Sequence, residues 1–278
     1  MQVAQKNLIY LYCVTQTKPN RSSLEVLEKY LYVGVKIYPI YFQGTYAIVS
    51  KVSPDEFSQD NLKKNLTNME WVEKSARQHE KIIEEIMKDT TVLPFKFGTV
   101  FQSEENVEKL LNEHNTEFKR IIEDLDGKEE WGLKIYCDIE KLKETLLEED
   151  EELLKIEREI NSSSPGKTFF LKKKKEKLLN AVVNKKLNEY GQDCFERLSQ
   201  KSLQTQINNL LPIEVTGRKD DMIFNAAFLI DKTKVAEFIQ VVDIFKTWYK
   251  HKGLEFDCTG PWPPYNFCRL SKEELQNE

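Results

Sequence analysis

From Val92 to Phe101 the chain reads Val-Leu-Pro-Phe-Lys-Phe-Gly-Thr-Val-Phe. Alternation along a pleated strand puts Leu93, Phe95, Phe97 and Phe101 on one face. Pro94 cannot donate to a ladder, and Gly98 admits a bulge or a positive-φ turn, so the run is expected to be an edge strand that turns sharply. Ser103 follows as an N-cap, with Glu104 and Glu105 in the first helical turn, where the helix dipole favours negative charge. A strand, a turn and a helix start must therefore succeed one another within a dozen residues.

A chain of 278 residues is long enough for two domains of ordinary size. Its 41 Lys and Arg against 46 Asp and Glu give a net charge of -5, which excludes a global basic footprint for nucleic acid. The apolar run Leu8–Val14 is too short for a signal segment or a membrane span, so the expectation is a cytoplasmic protein with no membrane partner. Five cysteines without a C-x-x-C pair suggest reduced thiols rather than a disulfide framework or a zinc site.

Periodicity sets out the elements. Leu8–Val14 has the composition of a central strand, and a short helix is expected from about Ser22 to Leu31. Val35–Phe42 and Thr45–Val52 are strands joined by Gln43-Gly44, a hairpin signal. Val72, Ala76, His79, Ile82, Ile83, Ile86 and Met87 form the buried stripe of a helix over Glu70–Lys88. With the strand near Val92–Phe97, the order is β-α-β-β-α-β. A helix over Ser103–Leu125 follows, its stripe made of Val107, Leu110, Leu111, His114, Phe118, Ile121, Ile122 and Leu125, and Gly127 ends it.

A second core begins at the strand Trp131–Cys137. Ile139, Leu142, Leu146, Leu153, Ile156 and Ile160 keep a 3-4 repeat, a coiled-coil seam. After the turn Asn161–Gly166, a second long helix runs to about Leu198, and the two form an antiparallel hairpin. Symmetric pairing about that turn sets the acidic run Glu148–Glu152 opposite Lys175 and Lys177, and Lys172 near Lys155 and Glu157. Strands over 205–215, 222–230 and 254–259 and a helix over 233–250, with Val235, Phe238, Ile239, Val242, Phe245 and Tyr249 on one face, repeat the order β-α-β-β-α-β. The fold class is thus α+β with two ferredoxin-like domains, the second having its first helix expanded into the hairpin. The expected division is an N-terminal domain over 1–100, a linking helix over 101–127, and a C-terminal domain over 128–278 with the hairpin at about 139–200.

No catalytic constellation stands out. H-E-x-x-H, G-x-S-x-G, G-x-x-x-x-G-K-[ST] and G-x-G-x-x-G are all missing. His79 and His114 sit on apolar stripes, where a histidine serves as a hydrogen-bonded core residue, and His251 ends a helix whose dipole suits a cation. Lys172–Lys175 and Lys177 are expected to form a solvated face paired with the acidic helix. An RNA-binding module is a remote alternative for the first domain, prompted by Ile9-Tyr10-Leu11-Tyr12, but Gly44–Lys51 offers one aromatic and no leading base where RNP1 would lie. In Thr259–Phe267 three prolines favour an extended path that presents Trp262, Tyr265 and Phe267. Those rings either pack the terminus onto the second domain or form a docking strip.

Two motifs, Leu93–Phe101 and Thr259–Phe267, together resemble the F/L-type gas vesicle accessory proteins. Glu130-Trp-Gly-Leu-Lys-Ile-Tyr136, Ser163-Ser-Pro-Gly166 and Asn225-Ala-Ala-Phe-Leu229 resemble further signatures of that family, in the same order, so the likeness runs from about Leu8 to Phe267. Lys96 departs from the arginine expected there, keeping the charge but losing bidentate pairing. The resemblance implies two α/β domains, the first ferredoxin-like and the second with a helical hairpin, and a non-enzymatic factor in the building of gas-filled protein shells. Its implied partners are the hydrophobic major shell protein and other accessory proteins, and its implied location is on the gas vesicle within the cytoplasm. A component retained on the finished shell is the alternative.

On this reading no residue is catalytic, and neither a cofactor nor a metal is expected. Tyr10, Tyr12, Tyr46, Phe97 and Trp262 are the candidate partner-binding residues, through the face of the first sheet or by sheet-edge pairing at Val92–Phe101. Pro94, Phe95, Gly98, Gly260 and Pro261 are expected to shape the backbone.

Overall fold

The computed structural model describes residues 6–20, 27 and 35–268. Its contacts group into two compact units, one of residues 1–130 and 261–278, the other of residues 131–260. The first unit is therefore assembled from both ends of the chain, and the second is an insertion. This grouping differs from the expected boundaries at 100 and 128, because the helix taken as a linker belongs to the first unit and so does the proline-rich C-terminal segment.

The first sheet contains β1 (Leu8–Thr15), β2 (Ile37–Phe42), β3 (Thr45–Val52), β4 (Val92–Pro94) and β5 (Val100–Phe101), in the order β2-β3-β1-β4 with β5 also on β1. β1 is central and buried along nearly its whole length. Gln43 (φ 41°) and Gly44 (φ 88°) both lie at positive φ, as a tight two-residue turn between twisted strands requires. β4 pairs with Cys13–Thr15 and β5 with Ile9–Tyr10, all antiparallel. Between them Phe95 N–H donates to Tyr12 O (2.9 Å) and Leu11 N–H to Thr99 O (3.0 Å). Residues 92–101 are thus one edge strand broken by a short excursion at Lys96-Phe97-Gly98. The helix expected from about Ser22 to Leu31 lies outside the described residues apart from Leu27, which is buried.

Helix α1 (Met69–Met87) starts where Asn68 Oδ1 accepts from Trp71 N–H (3.2 Å). It buries Ile82, Ile83 and Ile86 with Tyr10, Tyr12, Ile48 and Val92. Helix α2 (Glu104–Leu125) lies against β1 to β4 and sets Phe118 edge-on to Phe95, with ring centroids 6.0 Å apart. Two details depart from expectation. Ser103 occupies the N-cap position, yet its hydroxyl donates to Asn106 Oδ1 rather than accepting from the helix. Asn115, not His114, completes the buried stripe, because its Nδ2 donates to Thr45 Oγ1 (3.0 Å) at the end of the β2–β3 hairpin.

In the second sheet β6 (Lys128–Cys137), β7 (Gln204–Ile207), β8 (Asp221–Asp231) and β9 (Leu254–Trp262) follow the order β7-β8-β6-β9. Taken in chain order within each sheet, this is the order of β1 to β4. The strand expected over 205–215 is cut to four residues; Pro212 leads instead into a helical turn at Ile213–Thr216. β9 continues through Gly260-Pro261-Trp262, so the first part of the proline-rich motif is sheet rather than a free extended strip. The core joins Leu133, Ile135, Phe224, Phe228 and Ile230 from the strands to Cys194 and Leu198, and to Phe238, Val242 and Phe245 of helix α6 (Val235–Tyr249), where α3 to α5 form the hairpin described next.

The hairpin consists of α3 (Ile139–Glu149), α4 (Glu151–Asn161) and α5 (Pro165–Ser199). Its first arm breaks at Asp150, which leaves helical geometry (ψ 122°) and caps α4 by accepting from Glu152 N–H (3.0 Å) and Leu153 N–H (3.1 Å). Ile156, Ile160, Leu171 and Leu178 pack between α4 and α5, and Lys175 Nζ lies 2.7 Å from Glu157 Oε2. The break shifts the register from symmetric pairing. Glu149–Glu152 share a groove of about 590 Å³ with Lys185 and Lys186, not with Lys175 and Lys177. Lys175 makes the one α4–α5 ion pair among the described residues, so the expected charge pairing of Lys172 and Lys177 is not formed. Asp150→Ala removes a cap that holds two amide protons and is expected to lower stability by about 1 kcal/mol in urea unfolding; an unchanged midpoint would show that the break does not depend on the aspartate.

Candidate functional site

The two proline-containing motifs, far apart in sequence, meet in the first unit at His79. Helix α1 delivers the imidazole to the sheet, where Nδ1 lies 3.0 Å from Tyr10 Oη. Nε2 lies 3.1 Å from Phe95 O and 2.9 Å from Tyr265 Oη. A carbonyl can only accept, so Nε2 carries the proton and Nδ1 accepts from Tyr10 O–H. Tyr10 Oη in turn accepts from Gly98 N–H (2.9 Å). Gly98 sits at φ 84°, and a Cβ there would stand 3.4 Å from Leu62 Cδ2. The excursion at 96–98 thus aims one amide at the phenol. It also turns Phe97 away from Leu93 and Phe95 toward α1, with its ring centroid 5.9 Å from His79 and 6.0 Å from Trp71. The single face expected for the alternating phenylalanines is therefore split between the two sides of the sheet.

Burial governs the electrostatics. Desolvation lowers the His79 pKa to about 4, partly countered by the Phe95 carbonyl, and raises those of Tyr10 and Tyr265. Tyr12, bonded to Ser50 Oγ at 2.9 Å, is pushed up to about 12 by the same cause. Close by in sequence to Tyr265, Asn266 donates from its backbone N–H to Glu130 Oε2 (3.0 Å) and from Nδ2 to Glu130 Oε1 (2.6 Å). Glu130 is buried, and desolvation raises its pKa to about 7 against those two hydrogen bonds. Cys268 adds a weak Sγ contact to Pro94 O at 3.9 Å.

These placements sort the expected residues. Tyr10 and Tyr12 are interior, 2% and 5% exposed, so they do not offer a docking face; a tyrosine pair on a central strand is covered here because both hydroxyls find buried partners. Tyr46 is half-buried and stacks beside Tyr41 at 5.0 Å between ring centroids, and Tyr41 is 60% exposed. Phe97 and Trp262 are half-buried. Pro94 and Phe95 are buried, Pro261 is exposed, and Gly260 stands at φ 150°. Of the terminal rings, Tyr265 lies in the cluster around Tyr10 and Ile82 in the first unit. Lys96 is exposed and contributes through its carbonyl, which accepts from Thr99 N–H (3.2 Å) and Oγ1 (2.7 Å). Glu130 and Asn266 were within reach of sequence reasoning, since each lies in a quoted motif, but nothing local pairs them across that separation.

Among the described residues no three His, Cys, Asp or Glu side chains are gathered to hold a metal ion, and no helix is long and apolar enough to cross a membrane. The His79 junction has its polar atoms turned on one another; its chemistry is that of a fastening.

The two buried ionisable groups pull stability in opposite directions with pH. Glu130, raised above its unfolded value, contributes stability that is present below about pH 4.5 and lost as pH rises through 7. His79, depressed from 6.5, contributes stability that is present above pH 6.5 and lost as pH falls through 4. Each spans about 3 kcal/mol. The unfolding free energy of the parent protein minus that of Glu130→Gln is expected to fall by roughly that amount between pH 4.5 and 7; a difference that does not change with pH would remove Glu130 from this role. Gly98→Ala, forced into the left-handed region, is expected to cost about 1–2 kcal/mol in the same assay, and a neutral outcome would mean that the excursion can relax.

Proteins of known sequence and structure resemble this chain along most of its length. The family model for gas vesicle synthesis protein GvpL/GvpF matches residues 8–269. Gas vesicle protein L of a Streptomyces strain is 24% identical over 82% of this chain and 82% of its own. Gas vesicle protein L1 of Halobacterium salinarum is 24% identical over 93% and 89%, and gas vesicle protein F of Microcystis aeruginosa is 29% identical over 69% and 76%. The crystal structure of gas vesicle protein GvpF from Anabaena superposes with a TM-score of 0.67 at 19% identity, covering 95% of this chain and 97% of that one. GvpF from Microcystis aeruginosa superposes at 0.64 and 21%, covering 95% and 99%. With a mixed α/β fold on antiparallel pairing and a match along nearly its whole length, the chain is a member of the GvpL/GvpF family of gas vesicle synthesis proteins.

Proposed function

We propose that this protein is a non-enzymatic assembly factor that binds the hydrophobic major shell protein, together with other accessory proteins, while gas vesicles form in the cytoplasm. The match of the family model over residues 8–269 carries this reading. Physical need supports it, since a strongly apolar subunit in water aggregates through its exposed patches unless another surface covers them. Both units are read as ferredoxin-like, a reading supported by the shared strand order. In the first unit the burial of Tyr10 and Tyr12 moves the docking surface to the β2 edge. That strand ends its sheet, and its exposed Tyr41 lies against the half-buried Tyr46 of β3. An extended apolar segment would add to this edge by main-chain hydrogen bonds, with tyrosine rings as anchors. Full-length protein with Tyr41→Asp is expected to keep its melting temperature and to retain at least tenfold less shell protein in a pulldown; undiminished retention would move the site elsewhere. A urea wash of purified vesicles should remove the chain, and its persistence would favour a component of the finished shell.

A further inference from the structure

We propose that the tip of the hairpin in the second unit is a docking site for an acidic, amphipathic helix of a partner protein. Phe169 and Phe170, in the first turns of α5, are 58% and 72% exposed, and their rings lie 5.8 Å apart. Helical spacing surrounds Phe170 with lysine alone on its own face: Lys167 at i−3, Lys173 at i+3, Lys174 at i+4 and Lys177 at i+7. Lys173 Nζ lies 4.9 Å from the centroid of the Phe169 ring. Among the described residues none of these four lysines has an ion-pair partner, in contrast to Lys175, which Glu157 neutralises. Glu176 is the sole acidic residue from Pro165 to Asn188. The positive end of the helix dipole, which ordinarily draws acidic side chains, here has none in its first turn. Lysines three and four residues apart repel one another on a helix, and an anionic partner relieves that repulsion.

The composition of the face selects among anionic partners. Phosphate recognition favours the bidentate fork of arginine; α5 has no arginine before Arg197, and Arg158 in the last turn of α4 is the single arginine near the tip, against four lysines around Phe170. Membrane interfaces favour Trp and Tyr, and the tip has only Phe. Phenylalanine among lysines fits a helix with an apolar ridge flanked by glutamate or aspartate, whose ridge covers the rings while its carboxylates meet the ammonium groups. This inference stands apart from the shell-protein edge in the first unit, and either can fail alone.

The test uses the full chain and a fluorescein-labelled synthetic peptide of about three heptads, with leucine at i, i+3, i+4 and i+7 and glutamate beside them. Its control has the same composition, scrambled to destroy the ridge. The parent protein is expected to bind the amphipathic peptide at least roughly tenfold tighter than the scrambled one, with affinity falling as salt rises. Phe170→Ser should weaken binding roughly tenfold, and Lys173→Glu with Lys174→Glu and Lys177→Glu should abolish it. All these positions are at the surface, so melting temperatures should be unchanged. Equal binding of the two peptides, unaltered binding by the variants, or tighter binding to phosphatidylglycerol vesicles or a single-stranded oligonucleotide would overturn the proposal.

Discussion

A buried imidazole needs both nitrogens satisfied, and in the first unit that need gathers segments from the whole length of the chain. His79 meets Tyr10 from the central strand, the Phe95 carbonyl from the broken edge strand and Tyr265 from the returning terminus. Leaving one partner out would strand a polar atom in an apolar core at a cost of about 1–3 kcal/mol. Each partner is therefore held by local chemistry that has no other evident purpose. Gly98 takes a left-handed conformation so that its amide reaches Tyr10, and buried Pro263 and Pro264 fix the path that brings Tyr265 in.

The same logic explains how a second unit can be inserted between Glu130 and Pro261. Glu130 is the last residue of the first unit before the insertion, and Asn266 follows soon after it. Two hydrogen bonds to one carboxylate join the outgoing and returning strands at the point where the chain would otherwise separate. The carboxylate is desolvated there, and that burial raises its pKa although both hydrogen bonds from Asn266 lower it.

Elements were legible in the sequence wherever a period or a turn residue determined them. The Gln43-Gly44 hairpin, the α1 stripe at His79, Ile82, Ile83 and Ile86 and the stripe of α2 except for His114 follow from spacing alone, whereas Val72, Ala76 and Met87 are only half-buried and Ser75 is buried without having been expected. What spacing leaves open is the layer that covers a face. Alternation puts Tyr10 and Tyr12 on one side of β1, but only the arrival of α1 with His79, and the presence of Ser50 on β3, turns that side into core. The motifs around Phe95 and Tyr265 were legible separately, while their contact was not, because no local preference encodes a pairing across that separation. In the hairpin the misjudged register traces to Asp150. An aspartate before Glu-Glu is a capping signal, but within a run of five acids it looks like more of the same charged face.

The two sheets share a strand order although the connection between their first and second strands differs greatly in length. In the second unit that connection runs from Asp138 to Leu203 and holds the whole hairpin. A crossover lies outside the sheet, so strand pairing limits where it begins and ends and hardly limits how far it extends; loop-closure entropy grows only slowly with length. Near its base α5 is tied to the core by Tyr190, Cys194 and Leu198. Toward its tip the small cluster of Ile156, Ile160, Leu171 and Leu178 and the Lys175–Glu157 ion pair join the arms. Phe169, Phe170, Lys173, Lys174 and Lys177 are exposed, whereas that cluster's Leu171 is buried. Those residues are free to answer to a surface outside the chain, which is why an apolar pair can stand exposed there without a counterpart in the core.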